Sequence, residues 1–163
     1  MSQSSRARLV EVLGEVEGPW TAEGFTPHVS LAVIREEADE GALREIVDEL
    51  AKQLQPFEAQ FSSMGMFPGR RPVLFLAPAA NPQLLAAHDV SAQMLDQAGI
   101  EPIGYYLRGY WTPHLTLSTG MPALELVPKV KSLLRLDFAG SYDFEEIDLI
   151  EFHPKNRLVR LSL

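Results

Sequence analysis

The amino-acid sequence predicts an α+β fold: a single bilobal domain over residues 1–163, in which two pseudo-symmetric lobes of mainly antiparallel sheet plus helices surround a central cleft. Three observations point there. The stretches Phe25-Thr26-Pro27-His28-Val29-Ser30-Leu31 and Trp111-Thr112-Pro113-His114-Leu115-Thr116-Leu117 follow one pattern, 86 residues apart (114 − 28). The run Phe67–Leu76 matches Phe152–Leu161 at the similar offset of 85 (152 − 67), so the repeat extends beyond the motifs. Each half then reads as helix, His-bearing strand, helix, strand, turn, strand, with halves of roughly 1–78 and 79–163.

The elements follow in order. Residues 4–16 carry Leu9, Val10, Leu13 and Val16 on one helical stripe, and Gly18-Pro19 ends the helix. The first motif reads as a strand from Phe25 to Ile34, with Val29, Leu31 and Val33 alternating. Residues 37–54 are a helix, its apolar residues at helical spacing, acids early and Lys52 late, stopped by Pro56. A strand at 57–67, a turn at Pro68-Gly69 and a strand at 73–76 come next. Asn81 caps a helix with Pro82 in its first turn, and Gly99 ends it. Pro102 to Gly109 is a strand or an ordered loop. The second motif strand follows, then a helix at 122–134, a strand at 138–152 and a last strand at 157–163.

Bulk properties narrow the function. Hydrophobic residues make up 46% of the 163, which fits a globular protein with a core. There is no cysteine, hence no disulfide framework and no thiolate metal site. Met1 to Val16 lacks the apolar run of a signal peptide and no stretch is long enough to span a membrane, so a cytoplasmic location is expected. The net charge of −8 argues against tracking a nucleic-acid duplex, while leaving a small phosphate ester or the end of one RNA strand open.

In each motif the imidazole and the hydroxyl are two residues apart, so on a strand His28 shares a face with Ser30, and His114 with Thr116. One such histidine alone would read as sitting on a solvated sheet face. A matched pair with matched hydroxyls points to chemistry. These residues, His28-Val29-Ser30-Leu31 and His114-Leu115-Thr116-Leu117, resemble the paired His-x-Ser/Thr-x motifs of the 2H phosphoesterase superfamily and, within it, the 2'-5' RNA ligase-like, cyclic phosphodiesterase branch. The resemblance implies opening of 2',3'-cyclic phosphates or action on 2'-5' RNA linkages, in some members joining of RNA ends, with no metal required.

The chemistry needs few parts. A nucleophile must lose a proton, the leaving oxygen must gain one, and the phosphoryl oxygens must be held. Imidazole titrates at about pH 6.5, so one histidine can be neutral and the other protonated near neutrality. His28 and His114 are the candidate acid and base, with the assignment between them left open. Ser30 and Thr116 are candidate donors to non-bridging oxygens. Neither motif has a third ligand nearby, so no metal or other cofactor is expected. The expected partner is a small cyclic nucleotide or RNA end, with no duplex, no membrane and a monomeric protein.

Substrate contacts rest on parity. If the second motif strand runs backwards without a bulge, Tyr110 and Arg108 share the face of His114, one to stack on a base and the other to hold a phosphate. Arg70, Arg71, Lys155 and Arg157 cluster at the two turns the repeat pairs, where they could rim the groove. Strand parity places Phe25 and Trp111 opposite the histidines, in core packing. Trp20 and Phe67 fall in loops within reach of the groove. His88 reads as a helix-surface or boundary residue and His153 as an exposed turn residue.

Two features depart from the family. No strand precedes the first helix, so either the last strand closes the first lobe or its sheet is incomplete. Ser118-Thr119-Gly120 follows the second motif where an Arg is common, which weakens RNA-end joining. It also motivates an alternative, a nucleotide- or phosphate-binding protein of the same fold with little or no turnover.

Overall fold

The computed structural model describes residues 1–14, 27–35, 37–152 and 155–163. Among them are four α-helices: α1 (Gln3–Leu13), α2 (Glu40–Gln53), α3 (Pro82–Gln97) and α4 (Ala123–Leu133). The six strands are β1 (Phe57–Phe67), β2 (Val73–Pro78), β3 (Leu115–Ser118), β4 (Gly140–Phe144), β5 (Glu146–Phe152) and β6 (Lys155–Ser162). The α+β expectation holds, with antiparallel pairing of β1 with β2, β2 with β3 and β5 with β6. No described helix is long and apolar enough to cross a membrane.

Helix starts are set by side chains that satisfy orphan backbone donors. Ser2 Oγ accepts from Ser5 N at 3.1 Å, Asp39 Oδ1 from Ala42 N at 2.8 Å, and Asn81 Oδ1 from Leu84 N at 2.8 Å. Gly99, at φ 68°, closes α3 as its position predicts. In α1, Leu9 and Leu13 are fully buried but Val10 is 38% exposed, so the apolar stripe is narrower than the sequence suggests. Val16 and Gly18-Pro19, expected to finish that helix, lie outside the described residues.

The chain forms two compact units, and neither is a continuous half of the sequence. One comprises Met1–Ser30, Glu58–Ala80 and Pro113–Asp143; the other comprises Leu31–Phe57, Asn81–Thr112 and Phe144–Leu163. The strand order β3-β2-β1-β4 explains the interleaving. β3, which carries the second motif, pairs with the β1–β2 hairpin of the first half. The expected strand at 138–152 is two strands broken at Glu145: β4 joins the four-stranded sheet, whereas β5 pairs with β6. The first half's sheet is thus completed by β3 and β4, not by the last strand.

The first motif departs from expectation more sharply. Residues 27–33 form no strand, and the segment makes one isolated bridge, Ile34 to Pro102, supported by Ile103 N donating to Val33 O at 2.9 Å. The physical reason lies in its partner. Pro102 has no N–H to continue a ladder, and Pro27 lacks one at the other end. Residues 28–33 are half-buried throughout, without the alternation of a one-sided strand.

The core of the first unit packs Ala59, Phe61, Leu74, Leu76, Leu115, Leu117 and Tyr142, all at most 2% exposed. Each large side chain taken from water contributes roughly 1.5–3 kcal/mol. Tyr142 lies edge-on to Phe61, its hydroxyl donates to Phe138 O at 2.7 Å, and the Arg8 guanidinium sits 5.1 Å above its ring. Burial raises the Tyr142 phenol above its ordinary pKa, against the opposing charge of Arg8.

Candidate active site

Two irregularities in the four-stranded sheet sort its faces. In β1, Phe61 pairs with Pro78 and Ser63 with Ala77, so Ser62 is an extra residue. In β3, Leu74 pairs with Ser118 and Phe75 with Thr116, so Leu117 is extra. This second bulge turns Ser118 inward beside Leu117, and both are buried. The core-directed residues of β2 are Leu74 and Leu76. The other face carries Phe75.

On that other face one row crosses three strands. Gly65 of β1 stands opposite Phe75 of β2, which stands opposite Thr116 of β3. Residues directly opposite in a sheet share a face. His114 immediately precedes β3, and its ring lies 5.4 Å from that of Phe75 and 4.9 Å from that of Phe67, the latter edge-on at 89°. The two phenyl rings themselves lie 4.4 Å apart. The second motif thus presents its histidine and its hydroxyl around one buried phenylalanine. Both groups are half-buried, placed between core and solvent.

His28 and Ser30 belong to the same compact unit as His114 and Thr116. All four candidate catalytic residues, separated by up to 88 positions (116 − 28), are gathered there. His28 and Ser30 are half-buried, behind a buried Pro27. Arg70 and Arg71 fall in that unit too, exposed in the turn that joins β1 to β2.

Tyr110 and Arg108 belong to the other unit. The strand does not run back to them. Gly109 adopts φ 80°, and Tyr110 N and Trp111 N both donate to Leu107 O, at 3.0 and 3.1 Å. Strand parity therefore does not reach these residues. Tyr110 is 75% exposed. Arg108 donates to Asp89 O at 2.6 Å and lies 3.5 Å from the Asp89 carboxylate.

His88 is not a surface histidine. It shares a helical stripe with Leu84, Ser91 and Leu95, and all four are buried. Its ring stacks on Trp111 at 4.1 Å, and its Nε2–H donates to Tyr106 O at 2.9 Å. It ties the chain approaching the second motif to α3.

At the second turn the arginines are engaged within their own hairpin. Arg157 and Arg160 both hold Asp148, Arg160 through two contacts of 3.0 Å. Burial pushes the Asp148 carboxyl up, but the hydrogen bonds and charges of Arg160 and Arg157 outweigh it and hold it below the ordinary carboxylate range. Trp20, Phe25 and His153 lie outside the described residues, as does the side chain of Lys155.

Sequence reasoning reads Phe67 both as the end of the strand at 57–67 and as a loop residue within reach of the groove, and it passes over Gly65 and Phe75 as site residues. The first reading of Phe67 holds, since it ends β1. The available signal was Gly65 itself, since a glycine inside a strand marks a bulge or a close approach.

The sequence model of the 2'-5' RNA ligase superfamily matches residues 3–156, and the chain belongs to that family. No curated protein matches the chain by sequence. Among solved structures, LigT of E. coli in complex with 3'-AMP superposes with a TM-score of 0.63 at 16% identity, covering 100% of this chain and 93% of that one. The TT0787 protein of Thermus thermophilus gives 0.61 at 20% identity, and a crystal structure described as a phosphoesterase gives 0.61 at 15%, with the same coverage.

Proposed function

We propose that the chain is a phosphodiesterase that acts on 2',3'-cyclic phosphates or 2'-5' RNA linkages by two-histidine general acid/base catalysis, without a metal. The observation that carries the reading is that His28, Ser30, His114 and Thr116, from opposite halves of the sequence, fall in one compact unit. Family membership supports a phosphoesterase-type activity, and the structural neighbour solved with 3'-AMP supports a ligand of nucleotide size.

One histidine takes a proton from the attacking oxygen and the other gives one to the leaving oxygen. Each transfer contributes about 10²–10⁴ in rate. The Ser30 and Thr116 hydroxyls donate to the non-bridging oxygens as charge builds on phosphorus. Arg70 and Arg71 supply positive charge from the β1–β2 turn of the same unit. A nucleotide-binding protein with little turnover is the second reading. Its support is the absence of an Arg after the second motif and the engagement of Arg108 by Asp89.

The test is incubation with 2',3'-cyclic nucleotides in excess EDTA over about pH 5 to 9, with His28→Ala and His114→Ala variants alongside. The expected result is EDTA-resistant turnover with a bell-shaped pH profile, reduced at least about a hundredfold in either variant. Tight nucleotide binding without turnover would select the second reading. Turnover unchanged in both variants would overturn the mechanism.

A further inference from the structure

Gly65 is unexpected on propensity grounds. It lies inside an 11-residue strand, where glycine costs about 0.5–1 kcal/mol relative to Ala. Its backbone does not require glycine, for the positive-φ glycines of the described residues are Gly99, Gly109, Gly120 and Gly140. The requirement is space. A Cβ on Gly65 would meet Phe75 Cζ at 2.5 Å and Cε2 at 2.6 Å. The Phe75 ring therefore lies across the bare backbone of β1.

That ring is only 6% exposed and is one of three in mutual contact, Phe67–Phe75 at 4.4 Å, Phe67–His114 at 4.9 Å and Phe75–His114 at 5.4 Å. Close-packed side chains have little room to move singly, so displacing one ring displaces the others. We infer that Gly65 is a positioning residue: its missing side chain seats Phe75, and Phe75 with Phe67 sets the orientation of the His114 imidazole. The catalytic part of this inference rests on the reading of His114 as an acid or base; the structural part does not. A misplacement of about 1 Å at a reacting group costs up to about a hundredfold in rate.

The experiment compares Gly65→Ala, Phe75→Leu and the double variant, with two readouts. The first is the His114 Hε1 proton resonance, assigned by its loss in His114→Ala. The second is kcat and KM on whichever 2',3'-cyclic nucleotide turns over. Gly65→Ala is expected to shift the His114 resonance, leave the His88 resonance in place, and lower kcat by about ten- to a hundredfold with KM changed less than about threefold. In the Phe75→Leu background the same substitution is expected to have little further effect, because the ring that needed the space is gone. If Gly65→Ala alone fails to fold, a folded double variant matching Phe75→Leu in resonance and kcat supports the inference, and a misfolded one overturns it. An unmoved His114 resonance in folded Gly65→Ala, or fully additive effects, also overturns it. If no substrate turns over, the proposed function fails while the resonance shift and its non-additivity still decide the positioning role.

Discussion

Thr116→Val isolates the motif hydroxyl from the strand that carries it. Thr116 is half-buried in β3 opposite Phe75, and Val keeps the β-branched shape that suits a strand. Its neighbours Leu115 and Leu117 are fully buried and hold β3 independently of the hydroxyl. The expected change in stability is therefore within about 0.5 kcal/mol, a melting shift of about 1–2 °C for a chain of this size. The catalytic cost differs in kind. A hydrogen bond to a charged phosphoryl oxygen is worth about 1.5–3 kcal/mol, and each 1.36 kcal/mol is tenfold in rate, so kcat/KM should fall about 10- to 150-fold. Steady-state hydrolysis of a 2',3'-cyclic nucleotide, paired with thermal melting, reads both numbers. Unchanged turnover in a stably folded Thr116→Val protein would refute the role of the hydroxyl. A large fall in melting temperature would refute the claim that packing alone holds β3.

Two further outcomes test the packing around the candidate site. Tyr142→Phe keeps the ring against Phe61 and Arg8 but strips Phe138 O of its 2.7 Å donor. It should cost about 1–2 kcal/mol, a melting shift of about 2–8 °C, and an unchanged melting temperature would contradict the assignment. Asp148→Asn removes the carboxylate that Arg157 and Arg160 share. The Asp148 carboxyl is held below its ordinary range, so its contribution is present above the unfolded-state pKa of about 3.9 and is lost as pH falls through the folded value. Urea midpoints of the parent and variant should differ at about pH 7 and converge as pH falls through the depressed folded pKa of Asp148; a gap independent of pH would exclude the ionised pair as its source.

Much of the local structure is legible from local rules. The cap Asn81, the closing Gly99 and the bounds of β1 follow from side-chain hydrogen bonding, positive φ and period-two patterning, which act within a few residues. The helix expected from residue 37 starts instead at Glu40, behind its cap Asp39. The duplicated motif likewise marked His28, Ser30, His114 and Thr116 before any contact was known, because a repeated pairing of imidazole with hydroxyl has a chemical use that either group alone lacks.

Pairing across the chain was not legible. Alternation shows that β3 is a strand without showing that it joins the hairpin of the first half, and the stretch from Phe138 to Phe152, read as one strand, does not show where it changes sheet. Those choices depend on which edge has free donors and which faces complete a core, and both are properties of the assembled sheet. The same reason explains the first motif, whose expected ladder stops at Pro102, a residue far along the chain with no N–H to give. It also explains Gly65, whose missing side chain leaves the space that the Phe75 ring fills. The sequence by itself determined which residues have the chemistry, because side-chain chemistry and short-range periodicity are written locally. Only the tertiary structure decided which rings surround His114, because that depends on the register of three strands brought together from both halves of the chain.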